Sequence, residues 1–303
     1  NYFNEYVKYV NPKILITFTD NNSIFWKIQN CAKITKIFIQ NGNRTNTSED
    51  IFSYSVFLKK KKMENKVDFM LVFNRKVGEI YESFICGKHK VIGSFRSNSF
   101  EIIKKKKIDI FFISTWRDHN SDLLITPTIT FGEFVKTHIV LIKYIQNFVV
   151  KNNRHITIYG KYNTPKEKKF FKDILGDKNW TFLENDRKKS YHYIDQSELV
   201  ISTISSMGIE TLGRDSKLAI FDVCKFNKST QSKSFGWPYK IKKEGPFWTS
   251  KLSQSSCDKL LTKVSHYKKA HWKNLKKKHV NKFMIYDKNN KKFTSLVKNL
   301  LKN

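Results

Sequence analysis

The chain has 303 residues, enough for about two domains at roughly 100–200 residues each. Lysine and arginine total 57 against 26 acidic residues, a formal charge of +31, and 40% of residues are hydrophobic and 15% aromatic, which excludes a disordered chain. The charge invites a nucleic-acid reading. Only seven of the 57 basic residues are arginine, however, the side chain whose planar fork reads phosphate and guanine, and an A/T-biased genome is an equal source of so many lysines.

In chain order, Lys13–Phe18 reads as a buried strand, Ser23–Gln29 as a helix and Ile37–Gln40 as a second strand. Val67–Phe73 and Lys90–Gly93 are further strands, with helical spacing over Val77–Ile85 between them. The lysine runs 59–62 and 104–107 read as solvated loops. After a strand at Ile108–Ser114 and a long amphipathic helix at Phe131–Val150, a second series begins. Its strands are His155–Tyr159, Trp180–Leu183, Leu199–Ser202 and Lys217–Phe221; its helices are Lys166–Leu175, Ser190–Gln196 and Met207–Leu212.

This rhythm predicts an α/β fold of two Rossmann-like domains facing a cleft, over residues 1–125 and 126–275, with a basic C-terminal helix in 276–303. Ligands of such sheets sit beyond the carboxyl ends of the strands. Residues 251–303 hold 15 lysines against two aspartates, and Lys282–Leu301 has roughly helical apolar spacing. Such a helix can pack back on the first domain, or also lie on anionic lipid; nucleic acid is a third reading.

The clearest constellation runs from Ile201 to Arg214. A buried strand ends in Ser202 and Thr203, turns through Ser205 and Ser206, and enters a helix carrying Glu210. Free N–H groups and hydroxyls there attract phosphate or carboxylate, and Glu210 in the first helical turn can accept from a sugar hydroxyl. Simple N-capping by Ser205 or Ser206, with Glu210 completing a capping box, explains the same residues.

Upstream stand Ile156-Thr157-Ile158-Tyr159-Gly160-Lys161, then Glu167-Lys168-Lys169-Phe170-Phe171, then Ser190-Tyr191 before the strand Leu199–Ser202. Together with Ile209-Glu210-Thr211-Leu212-Gly213-Arg214, this order over residues 150–222 resembles the carboxyl-terminal domain of GT-B glycosyltransferases that build bacterial surface polysaccharides. It is similar to surface-carbohydrate biosynthesis proteins and CMP-Kdo-type transferases. The resemblance implies a transferase of capsule or lipopolysaccharide assembly. A nucleotide-sugar donor, CMP-Kdo-like or another, would be held around Gly160, Lys161, Ser202, Thr203, Ser205, Ser206, Glu210 and Arg214.

Three polar loops follow strands of the first half: Asp20 and Asn21; Gln40, Asn41 and Arg44; Ser94 and Arg96. Amide donors, a close-approach glycine and a fixed cation suit sugar hydroxyls and a carboxylate, so these residues and Arg117 are candidates for binding a glycan or lipid-linked glycan acceptor. Asn41-Gly42 is equally a plain turn. At Thr115-Trp116-Arg117-Asp118-His119 a carboxylate, an imidazole and a guanidinium adjoin; local pairing of Arg117 with Asp118 is the simpler reading. Asp118, Asp20, His119 and Glu210 are the candidate nucleophiles or bases for glycosyl transfer.

The four cysteines lie far apart without metal-ligand spacing, fitting neither a zinc module nor a disulfide framework. No Walker loop, dinucleotide fingerprint or Asp-x-Asp pair occurs, so no metal and no cofactor beyond the nucleotide-sugar co-substrate is expected. No membrane-spanning run appears, and the chain begins at Asn1 rather than Met. A cytoplasmic protein, peripheral on the inner membrane face through its basic tail, is expected. Two further readings are a basic α/β nucleic-acid-binding protein and an inactive transferase fold serving as a binding subunit; specific nucleic-acid recognition is not expected from so few arginines.

Overall fold

A computed structural model describes residues 2–28, 34–45, 52, 55–103, 105–117, 124–126, 129–203, 205–222 and 235–302. It divides into two compact units, Asn1–Glu101 with Asn281–Asn303, and Ile102–Val280. The first unit runs α1 (Tyr2–Val10), β1 (Ile14–Thr17), α2 (Ser23–Trp26), β2 (Thr35–Ile39), α3 (Ser55–Lys60), β3 (Lys66–Val72), α4 (Arg75–Phe84), β4 (Cys86–Val91) and α5 (Phe95–Asn98). Its strands lie in chain order, β1-β2-β3-β4, all parallel. Ile37, Phe38, Ile39, Met70, Leu71 and Val72 are wholly buried, the continuous apolar run of strands covered on both faces. Asn74 starts α4 by accepting from the Val77 N–H at 3.1 Å, and the helix buries Val77, Tyr81 and Phe84 at helical spacing.

Lys36 is an unusual member of this core. It is 1% exposed, and its ammonium donates to the carbonyls of Trp26 (3.1 Å) and Ile28 (2.8 Å) where α2 ends. Burial pulls its pKa down to about 8, against the opposing pull of Asp68.

The second unit holds β5 (Ile108–Ile113), the antiparallel pair β6 (Leu124–Thr126) and β7 (Ile129–Thr130), α6 (Phe131–Lys151), β8 (Ile156–Tyr159), α7 (Pro165–Leu175), β9 (Trp180–Leu183), α8 (Ser190–Gln196), β10 (Ser197–Ser202), α9 (Ser206–Glu210), β11 (Lys217–Phe221), β12 (Trp248–Thr249), α10 (Gln254–Ser265) and the start of α11 (Lys269–Phe283). Its large sheet is parallel throughout, in the order β12-β11-β10-β5-β8-β9. Counted within that sheet, the order is 3-2-1-4-5-6, the doubly wound pattern whose topological switch falls between β5 and β10. The sequence boundary at 125 set β5 with the first half; the strand instead hydrogen-bonds between β8 and β10, and no change of composition marks that junction. The lysine run at 104–107 is also not wholly solvated: Lys106 donates to the carbonyls of Asp195 (2.7 Å) and Ser197 (2.8 Å) and to the Ser216 hydroxyl (2.8 Å).

The tail is two helices, not one. α11 ends at Phe283, Asn289 and Asn290 take positive φ (57° and 51°), and α12 (Lys291–Lys302) follows. Asparagine tolerates that left-handed backbone and breaks the helix. Leu296 packs with Ile37, Ile39, Leu71 and Ile92, flanked by Phe293 and Leu300. Asn98, 0% exposed, donates to Asn290 Oδ1 at 3.1 Å and accepts from the Asp287 N–H at 2.9 Å. The apolar face of α12 is thus spent on the core of the first unit, leaving Lys291, Lys292, Lys298 and Lys302 exposed.

The buried Lys36 makes a signed prediction. Between pH 8 and about 10.5 the unfolded chain holds the Lys36 proton and the folded chain does not, so stability rises with pH in that window. Urea unfolding of the wild type should gain up to about 3 kcal/mol across the window relative to Lys36→Met. Parallel pH profiles of the two proteins would remove this account of Lys36.

Candidate functional site

Polar residues gather at the carboxyl ends of the strands in the second unit. Thr164 caps α7, accepting from the Glu167 N–H at 3.2 Å, and places Glu167 beneath the loop after β8. The Glu167 carboxylate, 0% exposed, accepts from the Ser114 hydroxyl (2.6 Å) and from the backbone N–H groups of Lys161 (2.8 Å) and Tyr162 (2.9 Å). It therefore ties the end of β5 to the Gly160-Lys161-Tyr162 loop. A Cβ at Gly160 would stand 2.5 Å from the Phe182 ring, so only glycine lets this loop cross so close. The Lys161 ammonium lies over the Tyr162 ring, 4.7 Å from its centroid.

At the switch point, the hydroxyls of Thr115, after β5, and Thr203, after β10, are 3.1 Å apart. His138 of α6 sets its Nε2 2.9 Å from Thr115 and 3.5 Å from Thr203. All three are buried. Beside them Ser202 Oγ is buried and, among the described residues, finds no hydrogen-bond partner. A Cβ on Gly208 would come within 2.0 Å of that oxygen, so the glycine lets α9 close on the strand end. Ser205 is the N-cap of α9 but its side chain makes no capping bond.

Glu210 is the last residue of α9, not part of its first turn, and accepts from the Tyr191 hydroxyl at 2.6 Å. The capping-box reading therefore accounts for neither Ser205 nor Glu210. Arg214 is corrected outright as a donor-binding residue. It is 0% exposed, gripping Asp195 with Nε to Oδ1 at 2.7 Å and a terminal nitrogen to Oδ2 at 2.6 Å, its guanidinium 5.3 Å from the Tyr191 ring centroid. A guanidinium so enclosed has no face left for a donor.

The strand ends of the first unit carry a second network. Asp20, 0% exposed, accepts from Arg44 Nε (2.8 Å) and its terminal nitrogen, from the Tyr81 hydroxyl (2.5 Å) and from the Asn41 N–H (3.2 Å). Asn41 Oδ1 also accepts from Arg44, at 2.6 Å. Gln40 is buried, donating to the Gly42 carbonyl and accepting from the Phe73 N–H, each at 2.8 Å. Ser94 is the buried N-cap of α5, accepting from the Ser97 N–H at 3.2 Å. Of the expected acceptor residues, Asn21, Asn41, Arg96 and Arg117 are exposed, whereas Gln40, Arg44 and Ser94 are committed within the unit. Asp118 and His119 lie outside the described residues. Among the described residues no cluster of three or more His, Cys, Asp or Glu could hold a metal ion, and no helix is long and apolar enough to cross a membrane.

Sequence reasoning missed Thr115 and His138 as partners of Thr203, Glu167 as the loop anchor, and Gly208. A hydroxyl after a predicted strand was a signal for Thr115. His138 sits 23 residues further along the chain, and no local pattern joins them.

A family model described as "putative O-antigen biosynthesis protein" matches residues 37–301. The chain belongs to that family. Membership sets it in the biosynthesis of surface polysaccharide, as the resemblance implied. No curated protein matches the chain by sequence. Among solved structures, it is similar to a "putative UDP-N-acetylglucosamine 2-epimerase" from Listeria monocytogenes: TM-score 0.63, 11% identity, covering 100% of this chain and 78% of that one. It is similar to S. aureus TarM, in a complex with Fondaparinux, alpha-GlcNAc-glycerol and UDP: TM-score 0.56, 13% identity, 99% of this chain and 58% of that one. The wall teichoic acid polymerase TagF, in a structure with CDPG, matches with TM-score 0.56 and 14% identity over 96% of this chain and 72% of that one. These likenesses show the fold, the two-sheet architecture of GT-B glycosyltransferases.

Two outcomes follow from the packing. Asp20→Asn removes the Asp20 charge from the buried Arg44 guanidinium and should cost about 3 kcal/mol in urea unfolding; a variant as stable as the wild type would show that the network carries no stability. Gly208→Ala should cost about 2 kcal/mol by overpacking against Ser202, whereas Ser202→Ala, which removes an unpartnered buried hydroxyl, should cost less than about 0.5 kcal/mol.

Proposed function

We propose that the protein is a glycosyltransferase that moves a sugar from a nucleotide-sugar donor to a growing surface glycan. The observation that carries this is the switch point of the second unit. There the ends of β5, β8 and β10 bring Thr115, Lys161, Ser202 and Thr203 to the place where doubly wound sheets take their ligands. Membership of an O-antigen family supports the pathway, and the similar TarM and TagF structures contain UDP and CDPG.

In this reading Gly160, Lys161, Ser202, Thr203, Ser205 and Ser206 surround the donor, with Lys161 the cation for its phosphates. Glu210 acts through Tyr191 rather than by touching the sugar. Asn21, Asn41, Arg96 and Arg117 meet a glycan or lipid-linked glycan acceptor. Asp20, with both carboxylate oxygens occupied, holds the acceptor loops in place. That leaves Asp118 and His119 as the candidates for the reacting carboxylate or base. The exposed lysines of α12 would add electrostatic attraction to an anionic membrane face. Transfer is proposed to be metal-independent, with cations and backbone N–H groups stabilising the leaving nucleotide.

The epimerase likeness favours one competing reading, epimerisation of the donor sugar on the same fold. Thermal unfolding with CMP-, UDP-, GDP- and dTDP-linked sugars separates the outcomes. One nucleotide class should raise the midpoint by about 5 °C near 100 times its Kd, and Lys161→Ala should weaken that binding about tenfold. The bound donor should then be hydrolysed or transferred equally well in EDTA, with no epimer formed. If no donor raises the midpoint, the transferase reading falls; an epimer as the only product would install the epimerase in its place.

A further inference from the structure

Three side chains from three elements converge at the switch point with no Asp, Glu, Lys or Arg among them. Thr115 comes from the end of β5, Thr203 from the end of β10 and His138 from α6, which lies between β5 and β8 in the chain. Each hydroxyl has one proton and each is within hydrogen-bond reach of the other, at 3.1 Å; the imidazole Nε2 reaches Thr115 at 2.9 Å. The direction of donation through the cluster therefore depends on which way the His138 proton points. If Nε2 accepts from Thr115, then Thr115 accepts from Thr203, and the last hydroxyl proton is turned inward. If Nε2–H donates to Thr115, then Thr115 donates to Thr203, and the Thr203 proton is left to be given onward, beyond the strand ends.

We propose that His138 is a positioning residue that donates through Thr115 to Thr203, so that the Thr203 hydroxyl presents its proton to a diphosphate oxygen of the bound nucleotide. No bond other than hydrogen bonds changes: one proton is offered to an anionic oxygen, and none is transferred. The relay rests on the nucleotide-sugar reading above and specifies it, since it selects for phosphate and is indifferent to the base. Burial of all three groups keeps water from competing for the donors, which raises the worth of a hydrogen bond to a charged oxygen.

The test is a set of binding measurements on the full chain with three probes: UDP, inorganic pyrophosphate and uridine. His138→Leu, Thr115→Val and Thr203→Val should each weaken UDP and pyrophosphate about tenfold, the loss of one charge-assisted hydrogen bond. Uridine binding should not change. The double variant His138→Leu/Thr203→Val should be no weaker than either single variant, because the three groups act as one donor. His138→Gln, whose amide nitrogen can occupy the place of Nε2 and donate, should stay within about threefold of the wild type. Thr115→Val keeps the shape of the side chain and breaks the same relay, so the test stands even if His138→Leu does not fold. The proposal is overturned if His138→Leu or Thr115→Val binds UDP as the wild type does, if Gln fails to rescue, or if the double loss is the product of the single ones. A wild-type chain that binds neither UDP nor pyrophosphate overturns the diphosphate relay. A donor of another kind can still raise the midpoint in that case, which leaves the transferase reading to its own experiment.

Discussion

A parallel sheet covered on both faces ends in loops whose N–H groups and hydroxyls are turned away from water and must be paired. Three acids meet that demand here, each 0% exposed: Asp20 in the first unit, Glu167 and Asp195 in the second. Asp20 gathers the loops after β1 and β2 and the side of α4. Glu167 holds the loops after β5 and β8. Asp195 accepts from Arg214 and from the Ile103 N–H at 3.0 Å. Asp20 and Glu167 sit at the carboxyl ends of their strands, where a catalytic acid is sought, and are occupied instead by backbone, hydroxyl or guanidinium donors; Asp195 precedes β10 and pairs at the opposite, amino edge of its sheet. The loops that Asp20 and Glu167 hold become a rigid platform, and the exposed residues on those loops are the ones left to meet a ligand.

The same economy explains the arginines. Arg44, Arg154 and Arg214 each grip one aspartate through two nitrogens, Asp20, Asp109 and Asp195 in turn. A planar fork matches a carboxylate and loses little further freedom when held, which suits a buried clamp; a lysine ammonium has no such geometry. Three of the seven arginines are therefore spent on clamps within the units, while Arg75, Arg96, Arg117 and Arg187 are exposed. Most lysines stay at the surface; Lys36, Lys106, Lys217 and Lys276 are among those that satisfy carbonyls at the ends of elements. A charge of +31 is in this light mainly a property of the solvated surface, and the location of Arg44 and Arg214 in conspicuous motifs reflects packing.

The strands and main helices were legible because their apolar periodicity is local. Ile37–Ile39, Val67–Val72 and Leu199–Ser202 needed only a few neighbouring residues to be recognised, and the α/β class followed from their alternation. The Ser202–Ser206 turn was legible for the same reason. The helix break at Asn289 and Asn290 was not, because the periodicity of Phe283, Phe293 and Leu296 bridges it and asparagine is only permissive of positive φ.

The amino-acid sequence by itself determined the fold class, the rhythm of strands and helices, and the hydroxyl-rich turn where a phosphate could be met. Those depend on residues within about one helical turn or one strand of each other. Tertiary structure alone decided that β5 lies in the second sheet, that α12 turns its apolar face to the first, and that Arg214 is a clamp. It alone set His138 against Thr115 and Thr203. Each of these is a pairing between distant positions, chosen by which buried donor must find which acceptor, and that choice exists only once the sheets have formed.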